Sequence, residues 1–226
     1  MTIPYYVSPE RIMQDKAEYA RKGIARGKSI IAMECQEGIL LVGENPSRSL
    51  NKISEIYDRI AFAGAGKFSE YESLRKAGIK HADIKGYAYG RDDVTAKSLA
   101  NAYSQIIGDI FSQAIKPLEV EIVLTQINDD QGDEIYRISF DGSLADDKGF
   151  TAIGGRSDEI KRFLGDRYQE RMSLKEALKL SSDALKQVNN YEVGVDNLEV
   201  ALLDRQRKNR RFRRVTCDEV RKLQKE

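Results

Sequence analysis

Histidine occurs once, at His81, and tryptophan not at all. A single imidazole excludes a metal centre built from several histidines, and no cofactor motif stands out. Cysteine is almost as scarce, with only Cys35 and Cys217. Two thiols make no disulfide framework, and Cys35 falls in an apolar run of strand length, so a reducing compartment is expected. An excess of one charge is also missing. The 37 basic and 36 acidic side chains leave a net charge of +1, which gives no general attraction to nucleic acid or anionic membrane. No run approaches the roughly 18 apolar residues of a membrane span. The leading segment contains Glu10, Asp15 and Glu18 and lacks the apolar core of a secretory signal. A soluble, cytoplasmic protein is the expectation. Linker-like stretches are lacking too, so 226 residues that are 41% hydrophobic suit one domain spanning 1–226.

What is present is organised around Gly27 to Lys67. The stretches Gly27–Cys35, Gly38–Glu44 and Arg59–Lys67 hold three apolar runs of strand length, punctuated by Gln36-Glu37-Gly38 and Asn45-Pro46-Ser47. With Lys52-Ile53 opening a further strand, the stretch reads as a hairpin followed by another strand pairing, the heart of a sheet. Before it, Ser8-Pro9-Glu10 places serine at the cap, proline at the first helical position and an acid in the first turn. The pattern predicts a helix to about Lys22, within a leading segment 8–24, with Gly23 and Gly27 as its stops. Ile12, Met13, Ala17, Ala20 and Ile24 give it one apolar face. That face fits packing on its own domain or on a neighbouring subunit equally well. Residues 1–7 form a short tail too apolar for a purely solvated end.

Farther on, helices are expected from Phe68 to about His81 and from Asp93 or Thr95 to Ala114. Tyr71, Leu74, Ala77 and Ile79 line the first; Leu99, Ala102, Tyr103, Ile106, Ile107, Ile110 and Phe111 line the second. Gly86 to Asp93 reads as the break between them, and Pro117 as the stop. Alternation predicts strands at 119–127, 135–140 and 150–155. Ser157 is expected to cap a helix to about Tyr168, and the capping box Ser173–Glu176 to open another through Val188. Strands at 197–204 and 212–215 and a helix from Asp218 complete the order. Strand blocks alternating with helix pairs, linked mainly as hairpins, predict an α+β fold. Its form is a four-layer α-β-β-α sandwich of two antiparallel sheets over 27–226, with an extra N-terminal helix.

That architecture is similar to hydrolases whose nucleophile is the first residue of the mature chain, which needs a free α-amine beside its hydroxyl. Ser29 is the nearest candidate. Lys28 stands where a threonine would be wanted, and the segment before it reads as a well-formed helix rather than a propeptide. The bland reading, a serine at a strand start, is preferred. Lys52 is either a solvated lysine or a fixed cation able to bind a carboxylate. The run Arg205–Arg214 has seven basic residues in ten. It could hold phosphates, but with nearby acids it reads by default as a surface turn. Asp92-Asp93, Asp129-Asp130 and Asp146-Asp147 read as turn residues, none placed for acid–base work.

The segments Ser8-Pro9, Glu18-Tyr19-Ala20-Arg21 and Gly27-Lys28-Ser29 occur in that order. Leu99-Ala100-Asn101, Tyr136-Arg137-Ile138, Asp141-Gly142-Ser143 and Ala152-Ile153-Gly154-Gly155 follow. Together they resemble the α-type subunits of proteasome core particles over nearly the whole chain. Ile3-Pro4-Tyr5-Tyr6, Glu44-Asn45-Pro46-Ser47 and Lys52 to Arg59 are most similar to the actinobacterial branch. The resemblance implies a non-catalytic subunit of a threonine-protease complex, in a seven-membered outer ring above catalytic β-type subunits. It implies a gate formed by Thr2, Ile3, Pro4, Tyr5, Tyr6 and Val7, and ring contacts through the helix bearing Ser8, Pro9, Glu18 and Tyr19. It also implies that Lys52 and Gly27 line a pocket for the C-terminal carboxylates of ring ATPase activators. The chain lacks the upstream Tyr-Asp-Arg of many relatives, so gate closure by packing of Ile3, Pro4, Tyr5 and Tyr6 is expected. No cofactor, nucleic acid or membrane is implied as a partner. A self-processing hydrolase is the alternative.

Overall fold

The computed structural model describes residues 8–225 except 48, 130, 131 and 190. Helix α1 (Pro9–Ala25) leads into strands β1 (Ile30–Cys35), β2 (Gly38–Glu44), β3 (Ile53–Tyr57) and β4 (Ile60–Gly66). Helices α2 (Phe68–Ala88) and α3 (Ala96–Gln113) follow. Next come β5 (Val120–Gln126), β6 (Glu134–Ile138), β7 (Leu144–Asp147) and β8 (Phe150–Ile153). Helices α4 (Ser157–Gly165) and α5 (Leu174–Asn189) precede β9 (Leu198–Asp204), β10 (Phe212–Arg214) and α6 (Cys217–Lys225).

Two five-stranded sheets result, ordered β10-β9-β2-β1-β8 and β3-β4-β5-β6-β7, with antiparallel pairing throughout. The expected single heart of a sheet is thus divided: the β1–β2 hairpin belongs to one sheet and the β3–β4 hairpin to the other. Side-chain alternation explains the layering. In β4, Ile60 and Phe62 face α2 and α3, whereas Ala61, Ala63 and Ala65 face the opposite sheet. In β2, Leu40 and Val42 face α4 and α5, whereas Ile39 and Leu41 face inward. Both faces of these strands are therefore dry, which is why they read as apolar runs rather than as alternating ones. Small alanines on the inner face let the two sheets approach closely. The four-layer sandwich expected from the sequence is the observed fold.

Local signals decide most element ends. The Ser8 side chain accepts from Arg11 N at 3.3 Å and Pro9 opens α1. Ser173 and Glu176 form the reciprocal box that starts α5. Other ends differ from expectation. Helix α1 passes through Gly23, where an added Cβ would sit 2.2 Å from the Glu119 carboxylate; this glycine permits close packing rather than a stop. Helix α2 likewise passes Gly86, which lies against the Tyr57 hydroxyl. Ala77 is exposed on α2, and Gly78 takes the buried position beneath Tyr103. Ile106 on α3 is also exposed. Arg156, not Ser157, occupies the cap of α4, with positive φ. Asp146-Asp147 lies in the edge strand β7 rather than a turn, where Asp147 pairs with Arg137 at 2.9 Å. No helix of the described residues is long and apolar enough to cross a membrane.

Candidate docking site at the sheet seam

Lys52 precedes β3 at the end of the sandwich where the two sheets meet. Its backbone N–H donates to Glu199 Oε2 at 2.9 Å, and Ile53 N–H donates to Glu199 Oε1 at 3.1 Å. Glu199 belongs to β9 of the other sheet, so one carboxylate ties the sheets together and fixes Lys52. Asn45 Nδ2 and Arg214 donate to the same carboxylate at 2.7 and 2.9 Å. The Lys52 ammonium turns back over the seam and donates to Glu44 O at 3.0 Å and Lys28 O at 3.4 Å. An ammonium has three N–H donors; these two carbonyls leave one for a ligand.

Electrostatics favour an anionic ligand. Lys28 pairs with Glu44 at 2.9 Å and donates to Tyr191 Oη at 2.7 Å. Tyr191 Oη in turn donates to Glu44 at 2.8 Å. The cluster therefore sets Lys28, Lys52 and Arg214 against Glu44 and Glu199, one cation in excess. Burial pulls the Lys52 pKa down from 10.5 to about 8, Glu199 and Glu44 oppose that shift, and Lys28 adds to it. Lys28 shifts upward through its hydrogen bonds to Tyr191 and Glu44. A carboxylate placed on the third Lys52 donor would supply the missing negative charge through a charge-assisted hydrogen bond.

Gly27 lies one residue before Lys28, whose carbonyl Lys52 grips. Its own neighbours are Gly66 and Ile24, and a Cβ there would come within 2.9 Å of Gly66 N. Gly27 O accepts from Gly155 N at 3.1 Å. Position 27 thus shapes the backbone wall beside Lys52. Glu44 and Asn45 enter the sequence reading only within longer segments such as Glu44-Asn45-Pro46-Ser47, and Glu199 and Tyr191 not at all. The one signal was an acid, Glu199, inside an otherwise apolar strand.

The other candidate residues separate clearly. Ser29 is buried and its hydroxyl donates to Gly155 O, while its nitrogen is an internal peptide after Lys28, so no free amine stands beside it. Along α1, Glu18 pairs with Lys22 in solvent at 2.6 Å, and Lys22 holds the Glu18 carboxyl below its usual range. Tyr19 is half exposed and donates to Glu119 at 3.3 Å. Ile12, Tyr19, Ile115 and Pro117 line a groove of about 570 Å³ beside it, with Ile115 98% exposed. Thr2 to Val7, expected to form a gate, lie outside the described residues, as does Asp130.

The basic run 205–214 is largely neutralised. Arg205 pairs with Asp133, Arg210 with Glu55 and Arg211 with Asp129. Arg213 pairs with Asp204 and Glu219, and Arg214 with Glu199. These contacts fasten the β9–β10 connection onto both sheets, as the surface-turn reading requires.

Comparison with known proteins agrees with this architecture. The family model described as Proteasome subunit matches residues 24–203. "Proteasome subunit alpha" of Streptomyces scabiei (strain 87.22) is 51% identical, the match covering 99% of this chain and 92% of the relative. The protein of that name from Thermomonospora curvata is 50% identical over 99% of this chain and 98% of its own. That of Thermobifida fusca is 48% identical over 100% and 92%. The sandwich, the internal Ser29 and these similarities establish that the chain belongs to the proteasome subunit family, among its α-type, non-catalytic members.

Proposed function

We propose that this chain forms the outer heptameric ring of a cytoplasmic proteasome core particle, stacked on β-type subunits that perform the proteolysis. It acts as one domain of three parts: tail 1–7, ring-contact helix 8–24 and sandwich 27–226. Residues 2–7 control substrate entry, and Lys52 with Gly27 receives the C-terminal carboxylate of a ring ATPase activator for protein degradation.

The observation supporting docking is the held ammonium of Lys52, with two donors on backbone carbonyls and one available. A single hydrogen-bonded carboxylate gives weak binding, so several tails around a ring would combine through effective concentration. The apolar groove beside Tyr19 supports the ring contact, since exposed patches of this kind fit a neighbouring subunit. Seven extended residues span at most roughly 25 Å, a useful reach for tails converging on a ring axis.

Deleting residues 2–7 tests the gate. Peptide hydrolysis by the particle assembled with its β-type subunit should rise several-fold, with ring assembly unchanged. Unaltered turnover in an assembled particle would remove the gating role and leave the docking role standing.

A further inference from the structure

The docking seam holds a second ammonium, and an internal carboxylate already occupies it. Lys28 O accepts from Lys52 Nζ at 3.4 Å, so the backbone of residue 28 is fixed beside Lys52. From there the Lys28 side chain, 43% exposed, reaches the Glu44 side chain, 8% exposed. Its ammonium pairs with Glu44 Oε1 at 2.9 Å and donates to Tyr191 Oη at 2.7 Å. The cation of this pair is open to solvent and the anion is not. The Lys28 charge is felt at Lys52, where it helps to lower the pKa. Two like charges in one pocket favour an anion shared between them.

Glu44 does not depend on Lys28 alone. Asn189 Nδ2 donates to Glu44 Oε2 at 3.1 Å, and Tyr191 Oη donates to Oε1 at 2.8 Å. A buried carboxylate that keeps two donors gives up a cation at smaller cost than one left bare. Lys28, for its part, carries its charge on a flexible four-carbon stem. Glu44 also touches the other ammonium, since its carbonyl is the acceptor that holds Lys52 at 3.0 Å. One residue therefore restrains both cations, Lys52 through its backbone and Lys28 through its side chain.

We infer that Glu44 is a built-in competitor for the docking carboxylate: it holds Lys28 back, and a chain terminus that docks on Lys52 takes Lys28 from it and bridges the two ammoniums. This rests on Lys52 being the docking group. The exchange sets a threshold. A single carboxylate must displace an internal one, so free carboxylates in solution compete poorly, whereas several tails on one ring combine to overcome the latch.

The test is fluorescence polarisation with a labelled peptide ending in a free carboxylate, and the same peptide amidated as control. It is bound to the particle assembled with its β-type subunit, at fixed ionic strength and about pH 6.5, below the value near 8 at which Lys52 loses its proton. Glu44→Gln should tighten carboxylate-dependent binding about fivefold, because Lys28 is released to the ligand. A role for Glu44 in structure alone would leave the affinity unchanged or lower it. Lys28→Gln, a second variant should Glu44→Gln fail to assemble, should weaken binding by a similar factor, since Glu44 then stands uncompensated beside the ligand. Unchanged or weaker binding in assembled Glu44→Gln, or unchanged binding in Lys28→Gln, would overturn the latch and leave docking on Lys52 standing. Absence of carboxylate-dependent binding in the unaltered chain and in Glu44→Gln alike would remove docking itself, and the latch with it.

Discussion

Lys52→Ala should abolish stimulation of peptide hydrolysis by a tail-docking activator while leaving the ring intact. The alanine removes the ammonium whose third donor is available at the seam, yet disturbs no hydrogen bond of the strands, because the backbone N–H of residue 52 still reaches Glu199. Stability should change little. A buried ammonium with a depressed pKa stabilises the fold weakly. Stimulation should fall with pH in a definite direction. The Lys52 ammonium of the free site loses its proton near pH 8, so docking should be full below that value and weaken above it. Folding runs the other way: between about 8 and the ordinary 10.5, the unfolded chain binds more protons than the folded one, so this group makes stability rise with pH. Retained stimulation in Lys52→Ala would reduce residue 52 to a structural lysine.

Glu199→Ala should have the largest effect on stability. The carboxylate accepts from Lys52 N, Ile53 N, Asn45 Nδ2 and Arg214, and it is 8% exposed. Its loss strands two backbone donors and one guanidinium, and opens a space between the sheets. The expected cost is roughly 3 kcal/mol, a fall in melting temperature of about 6–12 °C for a chain of this size. Activator stimulation should fall as well, because Lys52 loses its anchor. Glu199→Gln keeps the shape but replaces one acceptor oxygen with a donor group, so its loss should be smaller. An unchanged melting temperature in Glu199→Ala would show that the sheets do not depend on this clasp.

The contrast between Lys52 and Glu199 shows what a sequence of this kind discloses. Helix starts are local, so Ser8-Pro9 and Ser173–Glu176 were legible as caps. Strands with two dry faces were legible as apolar runs. The lysine at the start of β3 was legible as a fixed cation through resemblance, but its holder was not. Glu199 acts across 147 residues of chain, and no spacing rule reaches so far. Glycines misled where packing rather than conformation required them: Gly23 and Gly86 sit inside helices beneath Glu119 and Tyr57. Strand β7 was missed because Asp146-Asp147 has the composition of a turn, and an edge strand tolerates such charges. Thr95, offered with Asp93 as a cap, proved to be the residue that accepts from Ser98 N.

The central claim is that this chain builds a ring on which a β-type subunit assembles. Its most direct test is the native mass of the purified chain, alone and co-expressed with its β-type partner. The account predicts a joint complex containing a multiple of seven copies, with one ring of this 25.6 kDa chain contributing about 180 kDa. A stable monomer that ignores the β-type subunit would contradict it.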